Sequence, residues 1–299
     1  MNNKSSGDKA CRSNPERPSW IRVKGLRADV QASMISKLAG CNTVCMSAKC
    51  PNLGECFTIG VATFMIGGRI CTRACRFCGV RHGKPDPLDP EEPDKVAESV
   101  ERLGLRYVVI TSVARDDLED GGASHFVAVI SAIRRRKPEV GVEVLIPDFG
   151  GSETALRTLL EASPNVLNHN IETVRRLTPI VRSKATYDRS LELLERARRI
   201  APGIPTKSGL MVGLGESFEE VIETLEDLRR VGCSMLTIGQ YLQPRAHGEI
   251  PVARYWAPEE FEDLERAAYR MGFKKVAAGP FVRSSYLAEE MAKGTSILS

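Results

Sequence analysis

The sequence predicts an α/β protein with parallel strands, and favours a full or partial barrel over an open doubly wound sheet. From about residue 60, short β-rich runs alternate with amphipathic helical patterns, the signature of repeated β/α units. Polar residues and glycines close several of the runs, as at Thr111 and Ser112, Asn168 to Asn170, Gly213, and Gly239 with Gln240. A barrel gathers its site from that rim, strand by strand. A doubly wound nucleotide fold would place a glycine fingerprint after its first strand, and Gly67-Gly68 does not match one.

The β-rich runs span 61–66, 107–111, 142–146, 166–169, 207–212, 235–239 and 273–277. Helical patterns fill 93–103, 122–137, 153–162, 187–200, 218–231 and 258–271. End signals support several of these. Ser217 precedes an acidic first turn at Glu219 and Glu220, and Pro258 opens the last long helix ahead of Glu259 and Glu260. Residues 1–55 are polar, broken by Gly and Pro and without period, so they read as an irregular extension.

A chain of 299 residues can bury one barrel-sized core or two small ones. Its 42 Lys and Arg against 38 Asp and Glu leave a net charge of +4, too weak to argue for nucleic acid. No apolar run approaches the roughly 18 residues of a membrane span. The first twenty residues lack the apolar stretch of a secretory signal, and Asp8 and Glu16 speak against an organelle address. The expectation is a cytoplasmic protein with neither a membrane nor a nucleic-acid partner.

Nine cysteines cannot all pair, and a reducing compartment would keep them as thiols. Cys233, in an apolar run, reads as core, and Cys11 in the polar tail as incidental. The other seven crowd between Cys41 and Cys78, which points to metal. CTRACRFC over residues 71–78 spaces Cys71, Cys75 and Cys78 as C-x3-C-x2-C. Cys45, Cys50 and Cys56 follow a C-x4-C-x5-C spacing, with Cys41 outside it as a spectator. Each triplet is one ligand short of the four that structural zinc or a cubane cluster requires. On spacing alone, a zinc site and a plain electron-carrying cluster both stay open.

These residues resemble a known family. A C-x3-C-x2-C triplet with an aromatic, Phe77, before the last cysteine is similar to the radical SAM superfamily, and the two triplets together resemble the lipoyl synthases. Further segments carry the likeness: PSWIRVK at 18–24, TSVARDDLEDGG at 111–122, NHNIETV at 168–174, KSGLMVGLGE at 207–216, TIGQYLQP at 237–244 and GPFVRSSY at 279–286. Ala114 and Arg245 depart from the pattern, where Thr and Ser are usual.

The resemblance implies a partial parallel (β/α)6-type TIM barrel, residues 59–272. Before it would come an extension, 1–58, with the auxiliary cluster triplet, and after it a C-terminal segment, 273–299. It implies two 4Fe-4S clusters and S-adenosyl-L-methionine. Cys71, Cys75 and Cys78 would hold the radical-generating cluster, whose open iron binds S-adenosylmethionine. Cys45, Cys50, Cys56 and Ser285 would hold the sulfur donor, the serine being a harder ligand that can let go. The implied reaction inserts two sulfur atoms at C6 and C8 of a protein-bound octanoyl-lysine. Implied partners are octanoylated lipoyl carriers, namely the lipoyl domains of 2-oxoacid dehydrogenases and the glycine cleavage H protein, and an electron donor such as ferredoxin or flavodoxin. Phe77, Thr111, Asn168, Asn170, Lys207, Gly213 and Gln240 are the expected cofactor contacts. Biotin synthase also inserts sulfur from an auxiliary cluster, but the Cys45–Cys50–Cys56 triplet argues against it.

Some of these residues also have plain structural readings. Asn168, His169 and Asn170 suit a buried hydrogen-bond network as well as a ligand site. Arg115, Asp116 and Asp117 suit loop ion pairs. The 213–216 stretch lacks the Gly-Lys-Ser/Thr of a phosphate loop, so a close backbone approach to S-adenosylmethionine is expected there. The basic run 134–137 suits a solvated helix end.

Overall fold

Along each strand of the main sheet, alternate residues turn toward the helices or toward the barrel interior. The computed structural model describes residues 15–21, 38, 40–44, 52, 61–244 and 250–293. In chain order the elements are β1 (Val61–Ile66), two short strands β2 (Ile70–Cys71) and β3 (Arg81–His82), α1 (Glu92–Arg102), β4 (Tyr107–Ser112), α2 (Ala123–Arg136), β5 (Gly141–Leu145) and α3 (Glu153–Glu161). They continue as β6 (Val166–Asn168), the single turn α4 (Thr178–Val181), α5 (Tyr187–Ile200), β7 (Thr206–Val212), α6 (Phe218–Arg230), β8 (Met235–Gln240), α7 (Pro258–Arg270), β9 (Lys275–Gly279) and α8 (Ala288–Ala292).

The main sheet has seven parallel strands in the order β1-β4-β5-β6-β7-β8-β9, and β1 does not pair with β9, so the barrel is open. All seven expected β-rich runs are strands of this sheet, one more than a (β/α)6 count; the run expected at 273–277 pairs with β8 two residues later, Met235 opposite Lys275. Phe273 instead joins the outer core, and the amide of Lys274 donates to the Ser234 carbonyl. The other strands and the long helices fall within a residue of their expected bounds. β2, β3, α4 and α8 are too short to show a period and were not expected. Ser217 forms a full capping box with Glu220, as its acidic first turn suggested.

Ala62, Phe64, Ile66, Val108 and Ile110 face outward into one large core shared with the helices. The inward set differs with height. At the floor, Val61, Tyr107 and Val109 pack on Ala288, and Val166 and Met235 pack on Met291, so α8 plugs the barrel from inside. Above them the interior turns polar, with Glu143, Asn168 and Lys207 all buried. The chain's two ends meet around the open side. Thr43 bridges Phe64 on the free edge of β1, and Asn52 donates to the Phe281 carbonyl beyond β9 at 2.6 Å.

Candidate active site

β1 ends in a tight turn at Gly67 and Gly68, both with positive φ, which feeds the chain into the cysteine loop. Three side chains fix that turn. Arg115 donates to the Gly67 carbonyl at 2.9 Å, while Glu92 accepts the Gly67 amide at 2.8 Å and pairs with His125 at 2.6 Å.

The cysteine loop is clamped by Arg73, a buried residue between the first two cysteines. Its guanidinium reaches Asp116, after β4, and Asp148, after β5, each at 2.6 Å. Arg189 holds the second Asp148 oxygen at 3.2 Å, and Thr72 donates to Asp116 at 2.8 Å. Burial raises the Asp148 carboxyl, but the Arg73 bond and charge outweigh it and hold the group at about 2. The same carboxylates outweigh burial at Arg73 and keep it charged. Asp116 thus has a partner outside its own loop, whereas Arg115 and Asp117 form the local ion pair that was the plain alternative.

The three thiols of this loop are half-buried and near enough to sense one another. Burial lifts Cys78 to about 12, and the Cys75 and Cys71 charges add to the rise. Burial lifts Cys75 as well, offset by the Ser183 amide that donates to its sulfur at 3.3 Å. The Arg73 and Ala114 amides point at the Cys71 sulfur, at 3.4 and 3.3 Å. Among the described residues no three His, Cys, Asp or Glu side chains converge as ligands of a single metal ion do. The donor set suits a shared cationic cluster. Buried thiols need a bound cation to stay deprotonated, and amides aimed at the sulfurs tune such a centre. Phe77 packs against the main core from within the loop.

Asn168 and Asn170 end β6 at the level of the polar interior. Asn168 donates to Glu143 at 2.9 Å, and Glu143 in turn pairs with Lys207 at 3.1 Å. Lys207, an expected cofactor contact, is fully enclosed by this pair. Asn170 donates to the Ser284 hydroxyl at 2.6 Å and to Glu172 at 3.1 Å. The Oδ1 atoms of Asn168 and Asn170, and the hydroxyls of Ser112 and Thr173, are buried without a partner among the described residues. Buried polar atoms left unmatched at a strand-end rim are groups for which a bound ligand would supply the missing bonds. His169, between the two asparagines, is structural. Its ring bridges the Ile146 carbonyl and Ser190 at 2.8 and 3.0 Å, and burial lowers it to about 4, so it stays neutral.

Several other expected contacts are already occupied. Thr111 donates to the Leu145 carbonyl at 2.8 Å. Gln240 spends its amide on the carbonyls of Tyr241 and Arg254 and accepts the Trp256 amide. Gly213, at φ +101, gives its amide to Glu216, which also takes the Leu214 amide and the Trp256 indole N–H. A Cβ on Gly213 would collide with Gln240. Cys45, Cys50 and Cys56 lie outside the described residues. Ser285 is described and half-buried, one residue beyond the Ser284 that Asn170 holds.

Residue reading missed Arg73, Asp148, Arg182, Glu172 and Ser284 as site residues. Arg182 is half-buried and senses the charges of Glu172 and Cys75; its burial lowers it. Glu172 has a positive φ of 70, unusual for a non-glycine, and burial raises its carboxyl. Both Arg73 and Glu172 lie inside motifs already singled out, and Asp148 stands just past a strand's C-terminal end. Their positions were a signal, but their partners were not.

Comparisons with known proteins agree with this geometry. Residues 65–228 match the radical SAM superfamily. Over 274 residues the chain is 57% identical to the lipoyl synthase of Caldanaerobacter subterraneus subsp. tengcongensis, covering 91% of this chain and 96% of that one. It is 56% identical to the lipoyl synthase of Pyrobaculum calidifontis, covering 92% of this chain and 96% of the other. Solved structures share the fold at low identity. Methylornithine synthase aligns with a TM-score of 0.55 at 13% identity, over 85% of this chain and 79% of its own. The FeFe-hydrogenase maturase of Carboxydothermus hydrogenoformans aligns with a TM-score of 0.53 at 14% identity, over 88% and 77%. With an open parallel barrel, a clamped cysteine triplet after its first strand and relatives of this closeness along nearly its whole length, the chain belongs to the lipoyl synthase family of the radical SAM superfamily.

Proposed function

We propose that this chain inserts sulfur at C6 and C8 of an octanoyl group carried on a lysine of a lipoyl carrier protein. The observation that carries this reading is the triplet of half-buried thiols in one loop, supplied with backbone donors and fixed at the strand-end rim by Arg73. Cys71, Cys75 and Cys78 hold one 4Fe-4S cluster, and Cys45, Cys50, Cys56 and Ser285 hold a second. When bound, these groups supply what side chains lack: one-electron reduction of the S-adenosylmethionine sulfonium, hydrogen-atom removal from unactivated carbons, and sulfide.

The protein's own residues bind and orient. The Arg73 clamp fixes the direction in which the three sulfurs point. The Ala114, Arg73 and Ser183 amides spread thiolate charge without adding a proton. Asn168 and Asn170 offer S-adenosylmethionine their free carbonyl oxygens, which accept from its amine or hydroxyl groups. Lys207 and Glu143 act beneath them by holding Asn168 in place. Thr111, Gly213 and Gln240 shape the rim, and Phe77 anchors the loop. The division into 1–58, 59–272 and 273–299 follows these roles, the last piece contributing β9 before it delivers Ser285. The substrates are lipoyl domains of 2-oxoacid dehydrogenases and the glycine cleavage H protein, in the cytoplasm, and reducing electrons come from a ferredoxin or flavodoxin.

An anaerobic assay of reconstituted protein with an octanoyl-lysine peptide, S-adenosylmethionine and reductant tests this. Mass spectrometry should find both 5′-deoxyadenosine and a doubly thiolated peptide. Cys45→Ala should give 5′-deoxyadenosine but no thiolated product, and Cys71→Ala neither. 5′-Deoxyadenosine without thiolation in the unaltered protein would remove the sulfur-insertion claim.

A further inference from the structure

The cysteine loop and the two strands that flank it carry a concentration of charge that the reaction chemistry does not use. Residues 69–85 hold five Lys and Arg and no Asp or Glu, whereas the whole chain nets only +4. Arg73 alone is buried, and it is matched by Asp116 and Asp148. Arg69, Arg76, Arg81 and Lys84 are exposed, together with His82. None of the four cations forms an ion pair with a described residue, while Arg and Lys elsewhere on the surface commonly do, as Lys95, Arg102, Arg136 and Arg176 show. The β2–β3 ribbon holds one of these cations, Arg81, together with His82: Ile70 lies opposite Arg81, and Cys71 opposite His82. Arg76 is pinned through its backbone, its amide donating to the Val181 carbonyl and its carbonyl accepting from Ile250.

We propose that Arg69, Arg76, Arg81 and Lys84 form the docking surface for an acidic one-electron donor protein. The inference rests on the reading above, in which Cys71, Cys75 and Cys78 hold the cluster to be reduced. Electron transfer slows steeply with distance, so a donor must dock where the cluster's ligands come nearest the surface. Ala74 and Arg76, the two residues flanking Cys75, are both exposed. Electron-transfer partners meet over small interfaces and rely on long-range charge attraction for their encounter rate, which exposed cations without ion-pair partners among the described residues provide. The step is one electron, lost by the donor and gained by the cluster, with no bond or proton exchanged.

The test compares the reconstituted protein with its R69E/R81E/K84E variant, leaving Arg76 untouched. Binding of an oxidised acidic flavodoxin is measured by titration calorimetry at several salt concentrations. We expect at least a tenfold weaker Kd in the variant and loss of the salt dependence that the unaltered protein shows. Flavodoxin-driven 5′-deoxyadenosine formation should fall in parallel, while dithionite-driven formation and iron content stay unchanged. Undiminished flavodoxin binding overturns the proposal. So does a variant whose defect is a raised KM for the octanoylated carrier under dithionite, which would give the surface to the carrier. Should the triple variant lose iron, the single variants R81Q and K84Q decide by the salt slope of flavodoxin binding: a shallower slope supports the proposal and an unchanged one overturns it. Failure of the cluster reading shows separately, as an unaltered protein that makes no 5′-deoxyadenosine with dithionite.

Discussion

Asp148 carries two positive partners at once, Arg73 on one oxygen and Arg189 on the other, in a fully buried position. Replacing it with Asn removes the charge and keeps the size. Because breaking one side of a buried pair strands the other charge, Asp148→Asn should cost about 3 kcal/mol of stability in urea unfolding. The same variant should retain less iron in the Cys71 loop. Asp148 sits at about 2, below its ordinary 3.8. Its contribution is therefore complete above pH 3.8 and lost as pH falls toward 2. His169 acts in a different window. Burial lowers it from 6.5 to about 4, so the unfolded chain takes up a proton that the folded one refuses. Between those values stability should fall with acidification, by up to about 3 kcal/mol. In His169→Gln that part of the pH dependence should vanish from a series of urea transitions. CTRACRFC revealed that three thiols lie in one loop. It could not reveal that the Arg within it binds carboxylates 43 and 75 residues away.

At the scale of elements, the segment after β9 is the one that the sequence described least well. It crosses β8 so closely that a Cβ on Gly239 would collide with the Val282 carbonyl, and it offers Ser284 to Asn168 and Asn170. Gly239→Ala should leave the sheet intact but push this segment, and Ser285 with it, off the rim. Limited proteolysis should then cut between 280 and 287 at least tenfold faster, as expected for about 1.4 kcal/mol lost from local closure. The long helices were legible because each has an apolar stripe and an end signal, as the Ser217–Glu220 box shows. β2, β3 and α8, of two to five residues, have no period to read, and tertiary contacts alone define them.

For the whole molecule, the open barrel sets the arrangement. Seven parallel strands leave a side unclosed, and the two ends of the chain are drawn to it, one along the edge of β1 and the other past β9. α8 then fills the floor from inside, with Ala288 and Met291 both buried. A chain ending at Gly279 should lose the plug, expose Val61, Tyr107 and Met235 to water, and be at least about 3 kcal/mol less stable. Dye binding to the exposed apolar floor checks the first effect and the urea midpoint the second.

By itself the sequence determined the alternation of strands and helices, the helix ends and the two cysteine triplets, because each depends on residues within a few positions of one another. Local period and local spacing are enough to encode them. The tertiary structure alone decided that Arg73 meets Asp148, that Asn52 reaches a carbonyl 229 residues away, and that, among the described residues, the asparagine oxygens at the end of β6 lack partners and four surface cations around the thiols form no ion pair. These are pairings, or missing pairings, between distant segments, and no local pattern marks them. Chain folding brings those atoms together, and that proximity sets the charge, burial and open hydrogen-bond capacity of the site.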